Sequence, residues 1–207
     1  SNSDFDDAVN GRLSAAYALS GDTTLRASAG TGRKNPTFTE RYGFFPGQFV
    51  GNPDLKPERS ASYDVGLDHT FAEGAASLQL SLFKQDLEDE INGFYCGNPW
   101  PAPCTAINLD GSSERSGAEL GARWNATDRI GISATYTYTD STDGDNAAEL
   151  RRPRHAGSVQ ADVSILESRG RISLAADYGG TRQDIFFPPW PNPSEIVNLE
   201  NYWLLDL

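Results

Sequence analysis

No methionine occurs anywhere in these 207 residues, and there are only two histidines and two cysteines. The first absence leads us to expect a chain that does not start at an initiation codon. No stretch approaches the roughly 20 consecutive apolar residues of a membrane-crossing helix, and the opening "SNSDFDDAVN" lacks the basic and apolar regions of a signal peptide. Basic side chains are also scarce, 17 against 29 acidic for a net charge of -12, which disfavours nucleic acid as a partner because phosphate-backbone affinity comes from clustered Lys and Arg, and we expect none. One membrane class survives these exclusions. A transmembrane β-barrel announces itself only by alternating segments of about ten residues, and its mean hydropathy looks like that of a soluble protein.

The few reactive residues do not assemble into a catalytic pattern. His69 sits in an alternating apolar run and His155 stands beside Arg151, Arg152 and Arg154. Small barrels with protease or phospholipase activity are the rival class, but no Ser, His and acid converge here, so we expect no enzyme. Cys96 and Cys104 share the Pro- and Gly-rich stretch "FYCGNPWPAPC". A disulfide between them would close a small loop and imply an oxidising compartment, with free thiols or half of a metal site as the alternatives.

What the chain has in abundance is period-two alternation, the signature of strands with one apolar face. Ala61, Tyr63, Val65, Leu67 and Phe71 oppose Ser62, Asp64, Gly66, Asp68 and Thr70. The same pattern recurs with Ala76 to Leu82, Ala118 to Trp124, Ile130 to Tyr138, Val159 to Ile165 and Ile172 to Tyr178. Weaker strands lie at Leu13–Leu19 and Leu25–Ala29, and a last one begins near Leu199. The expected fold is therefore all-β, about nine antiparallel strands in up-and-down order.

The connections alternate as regularly as the side chains. Short turns fall at 20–23, 72–75, 125–129 and 166–170, and long ones at 31–59, 91–116, 140–155 and 179–197. A soluble sandwich has no reason to place every short turn at one end, whereas outer-membrane barrels have short periplasmic turns and long extracellular loops. On that assignment Phe71 and Trp124 lie near the periplasmic end of the apolar face, and Tyr63, Tyr136, Tyr138 and Tyr178 near the other. These are two aromatic girdles around a Val, Leu, Ile and Ala band.

The segments "RASAGTGRKNPTFTERYG" (26–43) and "GNPDLKPERSASYDVGLDHTF" (51–71) resemble the TonB-dependent receptors, outer-membrane transporters of siderophores, haem and cobalamin. The elements that match are Gly30, Gly32, Pro36, Thr37 and Glu40, then Gly51, Asn52, Pro53, Leu55, Lys56, Pro57 and Glu58. "NLDGSSERSGAELGARW" (108–124) and "LRRPRHAGSV" (150–159) are similar to further strand lead-ins of the family. The resemblance implies a barrel of about twenty-two strands around an N-terminal plug. No plug-like sequence and no energy-coupling box stand in this chain, and "NYWLLDL" lacks a closing aromatic residue. We therefore expect residues 1–207 to be part of the C-terminal half of such a barrel, open as given, in the outer membrane of a Gram-negative bacterium. The implied partners are outer-membrane lipid and lipopolysaccharide, a small nutrient, and the TonB complex acting through a plug. A passive porin-like or adhesin barrel is the alternative.

Loops on a rigid wall carry recognition, so the aromatics Phe44, Phe45, Tyr95, Trp100, Phe186, Phe187 and Trp190 are candidates to meet the nutrient, or else to pack loop on loop. The acidic balance mildly disfavours an anionic ferric complex. Asp86, Glu88, Asp89 and Glu90, and Asp140, Asp143 and Asp145, offer oxygen ligands for calcium. Their spacing completes no EF-hand loop, and a solvated acidic face explains them equally. No other cofactor is expected.

Overall fold

A strand that alternates apolar and polar residues settles only when its two faces meet different media, and the eight pairings that build the main sheet of this chain obey that rule. In the computed structural model, which describes residues 5, 7–96, 103–144, 147–167, 169–189 and 191–207 (without the side chains of 93 and 94), fifteen strands follow in chain order. They are β1 (Arg12–Ala18), β2 (Thr23–Lys34), β3 (Gly43–Phe45), β4 (Phe49–Val50), β5 (Glu58–Phe71), β6 (Ala76–Glu88), β7 (Ile91–Cys96) and β8 (Cys104–Asn108). Then come β9 (Ser112–Thr127), β10 (Ile130–Thr142), β11 (His155–Ile165), β12 (Gly170–Gly179), β13 (Arg182–Phe186), β14 (Glu195–Leu199) and β15 (Tyr202–Asp206).

Nine of them form one antiparallel sheet in the order β1-β2-β5-β6-β9-β10-β11-β12-β15, each strand beside its neighbour in sequence once the loop strands are set aside. This is an up-and-down barrel wall, not closed. The remaining strands are decorations of the long loops, a four-stranded sheet β3-β4-β8-β7 and a hairpin β13-β14. One correction follows at the end of the chain. Leu199 closes the loop hairpin, and the ninth wall strand starts at Tyr202, where pairing to Gly179 begins.

The short connections turn in few residues. Leu166 and Glu167 both take positive φ, 51° and 54°, the backbone that a tight hairpin needs if its twist is to match the strands. Ala72, Glu73 and Gly74 do the same between β5 and β6.

The two faces differ as the alternation requires. Tyr63, Val65, Phe71, Leu80, Leu82, Leu120, Trp124, Tyr136, Tyr138, Val159, Ile172 and Leu174 are all exposed on the outside of the wall. The inner face carries hydrogen-bonded charge. Arg26 grips Asp68 with Nε and Nη2 at 2.5 and 2.9 Å, and Arg12 Nη2 donates to Ser28 Oγ at 2.9 Å while Ser28 donates to Asp64. Such a wall has lipid outside and a wet lumen inside, so it has no apolar core of its own. Among the described residues the buried hydrophobics are Phe49, Leu55, Cys104 and Ala106, and all four lie in or beside the loop sheet.

The wall strands also outrun the lipid. The fourteen residues of β5 extend about 45 Å, well beyond an apolar band of about 25 Å even when tilted. The ends that carry the long loops therefore stand clear of the membrane. Asp86 and Glu88 belong to such an end: they lie on β6 rather than in a loop, and Asp86 is 3.6 Å from Lys84 Nζ.

Candidate functional site in the outer loops

The segment Gly51–Glu58 is the hub of the outer surface. Its prolines keep Asn52 and Lys56 out of the helical region, and the turn at Pro53 and Asp54, where Leu55 N donates to Asn52 O at 3.4 Å, leaves the Asn52 side chain and N–H to meet neighbouring groups. Asn52 uses all of that. Its Nδ2 donates to Ala106 O at 2.9 Å across the loops, its Oδ1 accepts from Asp54 N at 3.1 Å, and its N–H donates to Glu40 O at 2.9 Å. Lys56 and Asn108 form a reciprocal pair, with Lys56 N donating to Asn108 Oδ1 at 2.8 Å and Asn108 Nδ2 donating to Lys56 O at 3.0 Å. The same Nδ2 also reaches Asp89 O at 2.7 Å. Glu58, almost fully buried, accepts from Ile91 N at 2.9 Å and pairs with Lys34 Nζ at 3.0 Å.

Under these bonds sits the small core. Leu55 at 3 % exposure and Ala106 at 0 % meet Phe49 and Cys104, with Ile91 and Cys96 packed against them. Gly51 is required where it stands, because a side chain there would collide with the backbone of Arg41 and Tyr42 in the short helix α1 (Phe38–Tyr42). That helix is fixed by a capping box, Thr37 N donating to Glu40 Oε2 at 2.6 Å and Glu40 N donating to Thr37 Oγ1 at 3.3 Å. Gly51 to Glu58 thus lock the first long loop, 35–57, to the second, 89–111.

The lock continues to the other loops. Ser113 donates to Glu90, and Arg115 lies 3.9 Å from Glu90 and 2.7 Å from Glu149 of the third loop. Gly111 and Gly144 cross with backbone against backbone, a contact no side chain permits. Arg152 also pairs with Glu149, and Arg151 binds Asp184 of β13 at 2.6 Å while its N–H donates to Gln183 O at 2.7 Å. All four long loops are therefore linked into one cap.

The predicted site residues distribute over this cap. Phe44 and Phe45 stand edge-on at 5.8 Å, exposed, and Phe44 stacks on the buried Phe49 at 4.8 Å. Tyr95, exposed on β7, belongs to the same loop sheet. Phe186 and Phe187 are exposed on and beside the separate β13-β14 hairpin. Trp100, Trp190 and Asp145 lie outside the described residues. Cys96 and Cys104 are joined in a disulfide across β7 and β8. Asp89 faces Lys56 Nζ at 3.7 Å, and Asp143 Oδ1 accepts from Ala147 N at 2.9 Å. Among the described residues no three His, Cys, Asp or Glu side chains gather as a metal group. His69 is bonded to Thr23 Oγ1 at 2.7 Å, and His155 Nδ1 lies 2.7 Å from Tyr136 Oη on the outer face, so neither histidine faces the cap.

Three contributors escaped the sequence reading. Asn108 stands in a quoted motif, but its role needs the register that puts it beside Lys56, 52 residues away. Arg115 and Glu149 are 34 apart and meet only when β9 and the third loop are in place. The family description "TonB dependent receptor-like, beta-barrel" matches residues 1–207. The chain belongs to the TonB-dependent receptors. Its wall is that of an outer-membrane barrel of Gram-negative bacteria.

Among relatives of this receptor barrel, the vitamin B12 transporter BtuB of Photobacterium profundum is 29 % identical over 204 residues, which cover 95 % of this chain and 30 % of that protein. An iron-regulated outer membrane virulence protein of Vibrio cholerae is 35 % identical over 104 residues, 46 % of this chain and 16 % of that protein. The fold is shared with the siderophore receptor PirA from Acinetobacter baumannii, at TM-score 0.74 and 15 % identity over 95 % of this chain and 33 % of that one. It is shared equally with the copper transporter OprC, at TM-score 0.71 and 16 % identity over 95 % of this chain and 30 % of that one. The receptor barrel described here spans less than a third of the length of these relatives.

The cap of this receptor barrel has two testable joints. Breaking the disulfide by Cys96→Ser, which reopens a loop of separation 8, is expected to cost about 2–3 kcal/mol of local stability in residues 89–111. Hydrogen exchange should quicken there and stay unchanged in β6 and β9; equal acceleration in the wall would refute a local role. The second joint is sensitive to acid. Arg151, followed by the N–H of Ile185, holds the Asp184 carboxyl below its ordinary value. A carboxylate so depressed adds stability above its unfolded pKa and loses it as pH falls through the folded one. The link between the third and fourth loops is thus intact at neutral pH and opens only below about pH 4. A carboxyl-carbon NMR titration should place Asp184 below the ordinary aspartate value, and Asp184→Asn should abolish the transition.

Proposed function

We propose that this chain is part of an active, TonB-dependent transporter of a scarce nutrient such as a ferric siderophore, haem or cobalamin. The observation that carries this reading is the interlocked cap over a wet-lumen wall, in a chain whose whole length matches the receptor family. A passive pore gains nothing from loops tied into one unit, whereas a receptor that must present a preformed surface does. The relatives are named as transporters or receptors for vitamin B12, siderophores and copper, and none is named as an enzyme.

In this reading the exposed aromatics Phe44, Phe45 and Tyr95, set on one loop sheet, meet the nutrient, and Phe186 and Phe187 approach from the hairpin. No chemistry on the nutrient is needed. Release inward is a shift between two states of a lumen-filling plug, driven by energy delivered through the TonB complex. The lipid face, in this reading, is covered by outer-membrane lipid and lipopolysaccharide.

The test is uptake by cells that express the whole receptor, using labelled cobalamin and a labelled ferric siderophore with and without the TonB complex. Accumulation above the outside concentration that vanishes without TonB is the expected result. Equilibration that ignores TonB would establish a passive pore instead.

A further inference from the structure

The inner-wall arginines fall into two groups. Arg12, Arg26 and Arg115 each meet a carboxylate of this chain, Asp64 at 3.6 Å, Asp68 at 2.5 Å and Glu149 at 2.7 Å. Arg123 on β9 and Arg171 on β12 have, among the described residues, no carboxylate within ion-pair distance, and both line one concavity of about 790 Å³ beside the periplasmic turns. Arg129, from the turn between β9 and β10, joins them there, and Ser133 adds a hydroxyl. Two acids share the space, Asp128 and Asp162. Asp162 is engaged by Ser173 Oγ at 2.5 Å and Gln160 Nε2 at 3.0 Å and is also attracted electrostatically, beyond ion-pair distance, by Arg171.

With three guanidiniums, Arg123, Arg129 and Arg171, against two carboxylates, the concavity keeps an excess of positive charge in a chain of net charge -12. Low-dielectric walls concentrate the field of these charges on the lumen. A guanidinium fork matches the two oxygens of a carboxylate or phosphate, and charge-assisted bonds of that kind are the strong ones. We propose that the concavity around Arg123 and Arg171 is an anion site, which takes a carboxylate or phosphate group from outside these 207 residues. The group comes either from a free anionic solute in the lumen or from an acidic side chain of a lumen-filling segment. Only the second source rests on the transport reading above.

The experiment uses the whole receptor in detergent at low salt, with citrate as the probe in calorimetry. Arg123→Gln with Arg171→Gln is compared with the wild type and with the double lysine variant, and a heat-modifiability gel confirms that each barrel is folded. If free solutes fill the site, citrate binds the wild type, weakens at least tenfold in the glutamine variant and recovers in part with lysine. If an acidic segment fills it, citrate binds only after that segment is deleted, and in the undeleted receptor the glutamine variant makes the segment easier for trypsin to cut. Equal citrate affinity in wild type and glutamine variant, with and without the segment, together with unchanged trypsin cleavage, overturns the proposal. None of these readouts depends on uptake, so a failure of the transport reading would be seen separately.

Discussion

Leu55→Ala is expected to loosen the whole outer cap while leaving the nine-stranded wall paired. Leu55 is one of four buried hydrophobics among the described residues, so truncation removes a large part of that core, and about 2–3 kcal/mol is expected, the low end for buried leucines because a loop core can partly collapse. The loss should appear at the amides that the clamp protects. Lys56 N and Ile91 N donate across the first two loops and Leu109 N donates to Glu90 O within the second, and their exchange should speed up roughly 30- to 150-fold, since about 1.4 kcal/mol corresponds to a factor of ten. Asn108→Ala, which deletes three hydrogen bonds but no apolar packing, should act on the same amides. If Leu55→Ala accelerates β5 and β6 amides by the same factor, the cap is not a separate unit and the reading fails.

The second large effect concerns the lipid face. Val65, 42 % exposed, projects from the middle of β5 into the apolar band. Val65→Arg in the complete barrel should cost about 2–4 kcal/mol near the midplane. The neighbouring Gly66 looks from its alternation like a harmless luminal control, but a side chain there would press on Arg26 Nη2 at 3.0 Å and Leu80 O at 3.1 Å. Gln79→Arg, an exposed position on the inner face of β6, is the cleaner comparison. Unfolding midpoints in urea should fall for Val65→Arg and hold for Gln79→Arg; equal falls would reverse the face assignment.

How much of this was legible in the sequence depends on distance along the chain. The wall strands were, because period two is local and needs only a few residues to show itself. Their outer ends were not. At Thr31 to Lys34 and Ser112 to Arg115 the strand continues above the lipid, both faces turn polar, and the alternation that marks a strand disappears. The loop strands were hidden for another reason. Phe49 opposite Cys104 is a parallel pairing of short segments far apart in sequence, with no periodicity to betray it. Leu199 reads as wall from the sequence because a two-stranded loop hairpin alternates as a wall strand does. The resemblance supplied the motif from Gly51 to Glu58, but its role as a clamp emerged only from its partners Ala106, Asn108 and Ile91.

That clamp has a consequence for the order of assembly. The wall can form one hairpin at a time, since each strand pairs with the next, and closing a short turn costs little entropy. Asn52 to Ala106 cannot close until β5, β6 and β9 have all been laid down in register. A slip of one residue in β6 would turn its leucines into the lumen and carry Asn108 away from Lys56. The outer cap therefore proofreads the wall beneath it, sealing only over strands that have been paired correctly.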